Sequence, residues 1–328
     1  MQNTIARIKR RRALALLAGS AMPLSALAQS DFPNRPLKII VPQPPGGGFD
    51  FVARTLAEPL QRQLGQSVVV ENRPGSGTLV GTDAAAKAPP DGYTLLLGSV
   101  SNMVLNVGLY PSLPYEPQRD FEPIGVAVGY SYTLMSRKDL GIETLAEVLK
   151  HAKAKPRALT YASAGNGSGQ HVLAAATWHS AGVELVHVPY RGAQAAYQDL
   201  LGGRVDLFFD LAPTARTQIG AGTVKALATS GAQRNPMHPD VPTLREAGVG
   251  LELESWFGLF APARSPAGAL ARLRDELQRA ASASEVQAAF TKAGGRPLPL
   301  GADDTRALLA RDLQRWVPLV RAAGLKAD

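Results

Sequence analysis

Three glycine-rich turns, each following a short apolar run, constrain this chain more than any other feature. Pro44-Pro45-Gly46-Gly47-Gly48-Phe49-Asp50 follows 37–41 and leads into a helix-like stretch, 51–63. Pro74-Gly75-Ser76-Gly77-Thr78 follows 68–70, and Ser163-Ala164-Gly165-Asn166-Gly167-Ser168-Gly169 follows 159–161. Strand, glycine turn and helix in that order is the grammar of an α/β fold. Glycines leave backbone N–H groups accessible, and an ensuing helix adds the partial positive charge of its first-turn donors, so such turns receive anions. Asp50 is expected as the N-cap of the first helix. A single triglycine is equally well a plain strand-to-helix turn. Three of them on strand ends can converge on one small ligand.

Strand-like and helix-like segments alternate almost to the C-terminus, which predicts largely parallel sheets. After 68–70 come a helix at 80–87, a strand at 94–98 and a polar, proline-rich crossing at 110–121. The stretch 124–136 reads as a strand pair. Strands are then expected at 159–162, 185–189, 205–210, 224–229 and 256–261, with helices at 144–153, 169–180 and 193–201 between them, and two closing helices near 267–283 and 305–323. Chain crossings near Gly129 and Ser255 make the first unit discontinuous: 29–130 with 255–328 as lobe 1, and 131–254 as lobe 2. Two lobes with a two-strand hinge and glycine turns facing the cleft form a ligand clamp.

Residues 1–28 read as a secretory signal peptide: Arg7, Lys9, Arg10, Arg11 and Arg12 precede an apolar stretch that ends on Ala26-Leu27-Ala28. Arg11-Arg12 leaves both the general secretory and the twin-arginine routes open. The segment holds five of the 35 basic residues and no acidic one. Its removal lowers the formal charge from +8 to +3, with 30 basic residues against 27 acidic ones. That mild excess suits small anions and gives no basic footprint for nucleic acid. The absence of cysteine rules out disulfides, thiolate metal sites and a cysteine nucleophile.

Catalytic signatures are missing. Ser168 and Ser163 are preceded two residues earlier by Asn166 and Tyr161, so neither completes G-x-S-x-G. The five histidines contain no H-E-x-x-H, and no P-loop motif occurs. Gly75–Gly81 follows G-x-G-x-x-x-G, but Glu71-Asn72-Arg73-Pro74 separates it from its strand, unlike a dinucleotide fingerprint. An enzyme using this cleft would rely on 75–81 or on Ser168 with His171. Asp210 ends an apolar strand and either faces the cleft or caps the next turn. Arg191 either clamps a carboxylate or forms a surface ion pair.

Taken together, Ile40-Val41-Pro42 with Pro44-Pro45-Gly46-Gly47 and Asp50, Val70-Glu71-Asn72-Arg73-Pro74-Gly75, Pro90-Asp91-Gly92-Tyr93-Thr94, Tyr161-Ala162-Ser163-Ala164-Gly165-Asn166-Gly167-Ser168 with His171, and His187-Val188-Pro189-Tyr190-Arg191-Gly192 resemble one family. So do Asp199-Leu200-Leu201-Gly202-Gly203, Val241-Pro242-Thr243-Leu244 and Trp256-Phe257-Gly258. The family is that of the periplasmic receptors of tripartite tricarboxylate transporters, also called Bug receptors. The resemblance implies a type II periplasmic binding protein, a Venus flytrap with a mostly parallel sheet in each lobe. It further implies a periplasmic monomer that binds a small mono- or dicarboxylate, aliphatic or aromatic, and delivers it to membrane permease subunits. No catalysis, cofactor, metal or nucleic acid is implied; presenting the ligand to a membrane-bound sensor is the alternative role.

The implied ligand contacts are Gly46, Gly47, Gly48, Phe49, Asp50, Ser163, Gly165, Asn166, Gly167 and Ser168, with Gly77, Thr78, Ser99 and Asp210 as further candidates. Neutral donors suffice, since charge-assisted hydrogen bonds contribute about 1.5–3 kcal/mol each. Four positions depart from the family's pattern: Gln43, Phe49, Ala175 and Leu211. Phe49 is expected either to stack on the ligand or to fill lobe 1.

Overall fold

The computed structural model describes residues 32–322 and Gly324; the expected signal peptide lies outside them. Ten strands follow in order: β1 (Leu37–Val41), β2 (Val68–Asn72), β3 (Thr94–Ser99), β4 (Phe121–Arg137), β5 (Thr160–Ser163), β6 (Val186–Pro189), β7 (Leu207–Leu211), β8 (Val224–Thr229), β9 (Glu254–Pro262) and β10 (Arg296–Leu300). They connect in the order β2-β1-β3-β9-β4-β7-β5-β6, with β8 and β10 also paired to β4.

β4 is the reason the lobes are joined as they are. The segment expected as a strand pair is one strand of 17 residues. At about 3.3 Å per residue it is long enough to serve two sheets. Its residues up to Ser131 pair with β9, and from Tyr132 onward it pairs with β7 and β8. All antiparallel pairings among the described residues involve β4 or β9. The parallel ones, β1 with β2 and β3, and β5 with β6 and β7, lie away from this crossing. Each lobe therefore carries its own parallel group, in which β1, β2 and β5 lead into the three glycine turns while β3 and β7 run directly into helical segments.

Local chemistry sets the elements. β1 is almost continuously apolar and buried, as a strand covered on both faces must be. The helix Gly48–Leu64 buries Val52, Ala53, Leu56 and Leu60 on one face and stops at Gly65, whose left-handed φ of +66° lets its N–H close on Gln61 O. The helix Leu145–Ala154 starts in a full capping box between Thr144 and Glu147.

Several elements were not expected, among them the helical stretch from Ser101 to Leu109, the helices Ala212–Gly220 and Ser284–Lys292, and β10. Pro297 and Pro299 argue against a strand, yet β10 tolerates them because its pairing with β4 is irregular and shifts register between Pro297 and Leu300. Among the described residues no helix is long and apolar enough to cross a membrane.

Candidate ligand-binding site

The first glycine turn is tied down by its own aspartate. The helix begins at Gly48 with Gly47 as N-cap, so Asp50 sits in the first turn instead of capping it. From there its carboxylate reaches back. Oδ2 accepts from Gly46 N–H (3.1 Å) and Arg54 Nε (2.9 Å), and Oδ1 accepts from Asn72 Nδ2 (3.0 Å). Burial alone would raise the Asp50 pKa, but these donors and the Arg54 charge outweigh it and lower it. All of the bonds described for this carboxylate hold the turn to the helix and to the end of β2. Asp50→Asn would turn an amide N–H toward Asn72 and weaken the Arg54 pair. We expect it to cost about 1–2 kcal/mol, read as a lowered urea midpoint with unchanged slope.

The turns of the two lobes touch. Gln194 Nε2 donates to Gly46 O at 2.8 Å. Gly48 lies so close to Leu211 that a Cβ there would stand 2.6 Å from Leu211 Cδ1. A Cβ on Gly77 would stand 2.2 Å from Asn166 O. Only glycine permits this last approach, and Gly77 also has a left-handed φ of +70°. Around these contacts the cleft keeps two cavities. One, of about 550 Å³, is walled by Gly75, Ser76 and Gly77 from lobe 1 and by Ala164, Gly165, Asn166 and Pro189 to Gly192 from lobe 2, with Pro44 between them. Arg191 is the one charged side chain among the described residues lining it. The other, of about 580 Å³, lies on the far side of the Gln194–Gly46 contact, beside Gly46, Gly47, Asp50, Tyr197 and Thr214.

The expected ligand contacts thus separate. Gly77, Gly165 and Asn166 line the first cavity; Gly46, Gly47 and Asp50 line the second. Gly48 is packed under Leu211, and Gly167 lies beside Tyr110 and Asn106, lining neither cavity. Phe49 is 2% exposed, its ring set edge-on against Phe257 with centroids 4.9 Å apart, so the structure uses it to fill lobe 1. Thr78 Oγ1 accepts from Asn106 Nδ2 at 2.9 Å, and Ser99 caps a local turn through Asn102 and Ser101. Ser168 caps the helix Gly169–Ser180, its Oγ accepting from His171 N–H at 3.3 Å. That bond is to the backbone, so Ser168 and His171 do not form a nucleophile and base pair.

Asp210 is fully buried beneath the second cavity. Its carboxylate accepts from Gln170 Nε2 (3.0 Å) and from Thr214 Oγ1, and burial raises its pKa. Because Thr214 lines that cavity, Asp210 stands one layer behind the wall.

Beneath the third turn two imidazoles stack, His171 on His187, with centroids 4.1 Å apart and planes 13° from parallel. Burial lowers the pKa of His171 to about 4; burial and the neighbouring His171 lower that of His187 to about 3. Ser163 Oγ lies 2.7 Å from His187 Nε2, but no carboxylate among the described residues orients that ring, and so weak a base cannot activate a hydroxyl. Unfolded histidine takes up its proton near pH 6.5, so below that the unfolded chain binds more protons than the native one. Native stability is therefore expected to fall as pH drops from 6.5 toward 4, by up to about 1.4 kcal/mol per unit for His171. Melting temperatures across that range check this, and His171→Asn should flatten the slope.

Sequence reasoning passed over Gln43, whose buried Nε2 has no hydrogen-bond partner, and Gln194, which bridges the lobes. Only the departure of Gln43 from the family's pattern marked it. Among the described residues no three His, Cys, Asp or Glu side chains are grouped to hold a metal.

Comparison with known proteins places this geometry. Residues 52–325 match the model of the tripartite tricarboxylate transporter family receptor. A protein encoded in the tcbD-tcbE intergenic region of Pseudomonas sp. strain P51 is 39% identical over 99% of this chain and 97% of its own length. BugT of Bordetella pertussis strain Tohama I is 36% identical over 94% of each chain. Among solved structures, periplasmic binding protein BugD superposes with a TM-score of 0.86 at 34% identity, covering 90% of this chain and all of that one. An R. palustris protein with adipate gives 0.85 at 30% identity over 90% and 99% of the two chains. MatC from Rhodopseudomonas palustris with bound malate gives 0.84 at 32% identity over 88% and 100%.

Proposed function

The chain belongs to the tripartite tricarboxylate transporter family of receptors, and we propose that it captures a small organic carboxylate between its lobes and delivers it to the transporter's membrane permease subunits. Members of this family bind a solute and do not transform it. The observation that carries the ligand assignment is the 550 Å³ cavity, where glycine turns from both lobes meet with Arg191 as the one cation among the described lining residues. Backbone amides and a single guanidinium match a carboxylate in charge and in hydrogen-bond count. Solved relatives with adipate and malate support the same ligand class.

In this reading the lobes divide at 130/131 and 254/255 and move as a Venus flytrap about β4 and β9. The protein works as a periplasmic monomer after loss of 1–28. Gly77, Gly165 and Asn166 touch the ligand directly, Gly46 and Gly47 line the neighbouring cavity beyond the Gln194–Gly46 contact, and Asp50, Thr78, Ser99, Ser163, Gly167, Ser168 and Asp210 hold the surrounding turns and strand ends in place. With Phe49 used in packing, aliphatic acids fit better than aromatic ones. Thermal-shift measurements on residues 29–328 against adipate, malate and benzoate test this. A ligand at 100 times its dissociation constant raises native stability by about 2.7 kcal/mol. A shift with adipate or malate supports the reading, a shift with benzoate alone reverses the aliphatic preference, and silence across carboxylates removes the ligand class.

A further inference from the structure

We propose that His171 and His187 act as a positioning brace for the 163–168 turn, His171 through its Nδ1 acceptor, and that by holding the Gly165 and Gly167 amides this brace keeps the backbone around Asn166 presented to the ligand. The proposal rests on the reading above that this turn receives a carboxylate. Gly165 and Gly167 have φ of +120° and +83°, so the turn is built from residues that do not enforce their own conformation. Something outside it must.

The brace holds it at two points. Gly167 N–H donates to His171 Nδ1 at 3.4 Å, which leaves the ring proton on Nε2. At the other end Ser163 Oγ sits 2.7 Å from His187 Nε2 and accepts Gly165 N–H at 3.2 Å. Both rings are anchored in regular structure. His187 lies on β6 opposite Tyr161 of β5, and Tyr161 stacks on it with centroids 5.0 Å apart. His171 stands in the first turn of the helix Gly169–Ser180.

Stacking at 4.1 Å requires at least one neutral ring, because two imidazolium ions at that distance repel. Among the described residues, the titratable groups stacked on the pair are Tyr161 from β5 and the partner ring of each. No carboxylate, lysine or arginine among the described residues bonds to either ring. A proton on His171 Nδ1 would set a donor against the Gly167 donor and release the turn.

The test compares His171→Leu, which keeps bulk but loses the acceptor, with His171→Asn, whose Oδ1 takes the place of Nδ1. In the unliganded protein, amide hydrogen exchange at Gly165 and Gly167 should speed up about tenfold in His171→Leu and stay within about threefold of wild type in His171→Asn. Adipate affinity at pH 7.5 should follow the same order, about tenfold weaker and then restored. If His171→Leu keeps both protection and affinity, or His171→Asn is as impaired as His171→Leu, His171 is merely packing and the proposal is overturned. Should wild type bind neither adipate nor malate, the exchange data still decide the brace, while the carboxylate reading of the turn falls by itself.

Discussion

Gly77→Val is expected to weaken adipate or malate binding at least about a hundredfold, equivalent to about 2.7 kcal/mol, while the protein still folds. A Cβ at this position would stand 2.2 Å from Asn166 O and 2.9 Å from Gly167 C and Ser168 N. All three are backbone atoms, which cannot swing aside as a side-chain tip would. The lobes would have to separate at the very wall of the 550 Å³ cavity. Valine at a φ of +70° also carries local strain of about 1–2 kcal/mol, so a modest loss of melting temperature accompanies the substitution. Gly141→Val separates the two effects. Gly141 has nearly the same φ, +71°, with nothing within 4 Å of its Cβ position, so it should show the strain without the binding defect. Calorimetry for affinity and small-angle scattering for closure check this. Unchanged affinity in Gly77→Val would mean that the liganded lobes do not meet here.

Phe49→Ala is expected to destabilise the protein by about 3–5 kcal/mol, the usual cost of emptying a buried aromatic site. The ring is 2% exposed and its edge-to-face partner Phe257 is itself fully buried on β9. Phe257 in turn packs against Tyr130 of β4, so the cavity would open beside the crossing strands. Chemical denaturation should show the loss in full, with adipate affinity changed far less. The reverse pattern, intact stability with lost affinity, would return Phe49 to the ligand.

The two substitutions sample two kinds of legibility. The alternation of apolar strands, glycine turns and amphipathic helices is local information, and it placed the α/β class, the turns at strand ends and most elements. Elsewhere several local readings compete. An aspartate two residues after a triglycine can cap a helix from outside or reach back from inside it; Asp50 does the second because Arg54 and Asn72 are there to share its charge. The two prolines of β10 hid a strand that survives on irregular pairing. β4 read as two strands because nothing local shows that a single strand can serve both lobes.

What the sequence determined by itself was therefore the fold class and the positions of the glycine turns, because propensity, periodicity and glycine placement act within a few residues of each other, and the family, through motifs that match it in order. The tertiary structure decided which of those turns share a wall. Gly77 meets Asn166, Gly46 meets Gln194, and His171 lies flat on His187 only after two sheets have been brought together by β4 and β9. Hydrogen bonds and ring stacking act over a few ångströms in space, and only the folded chain turns separations of many residues into such distances.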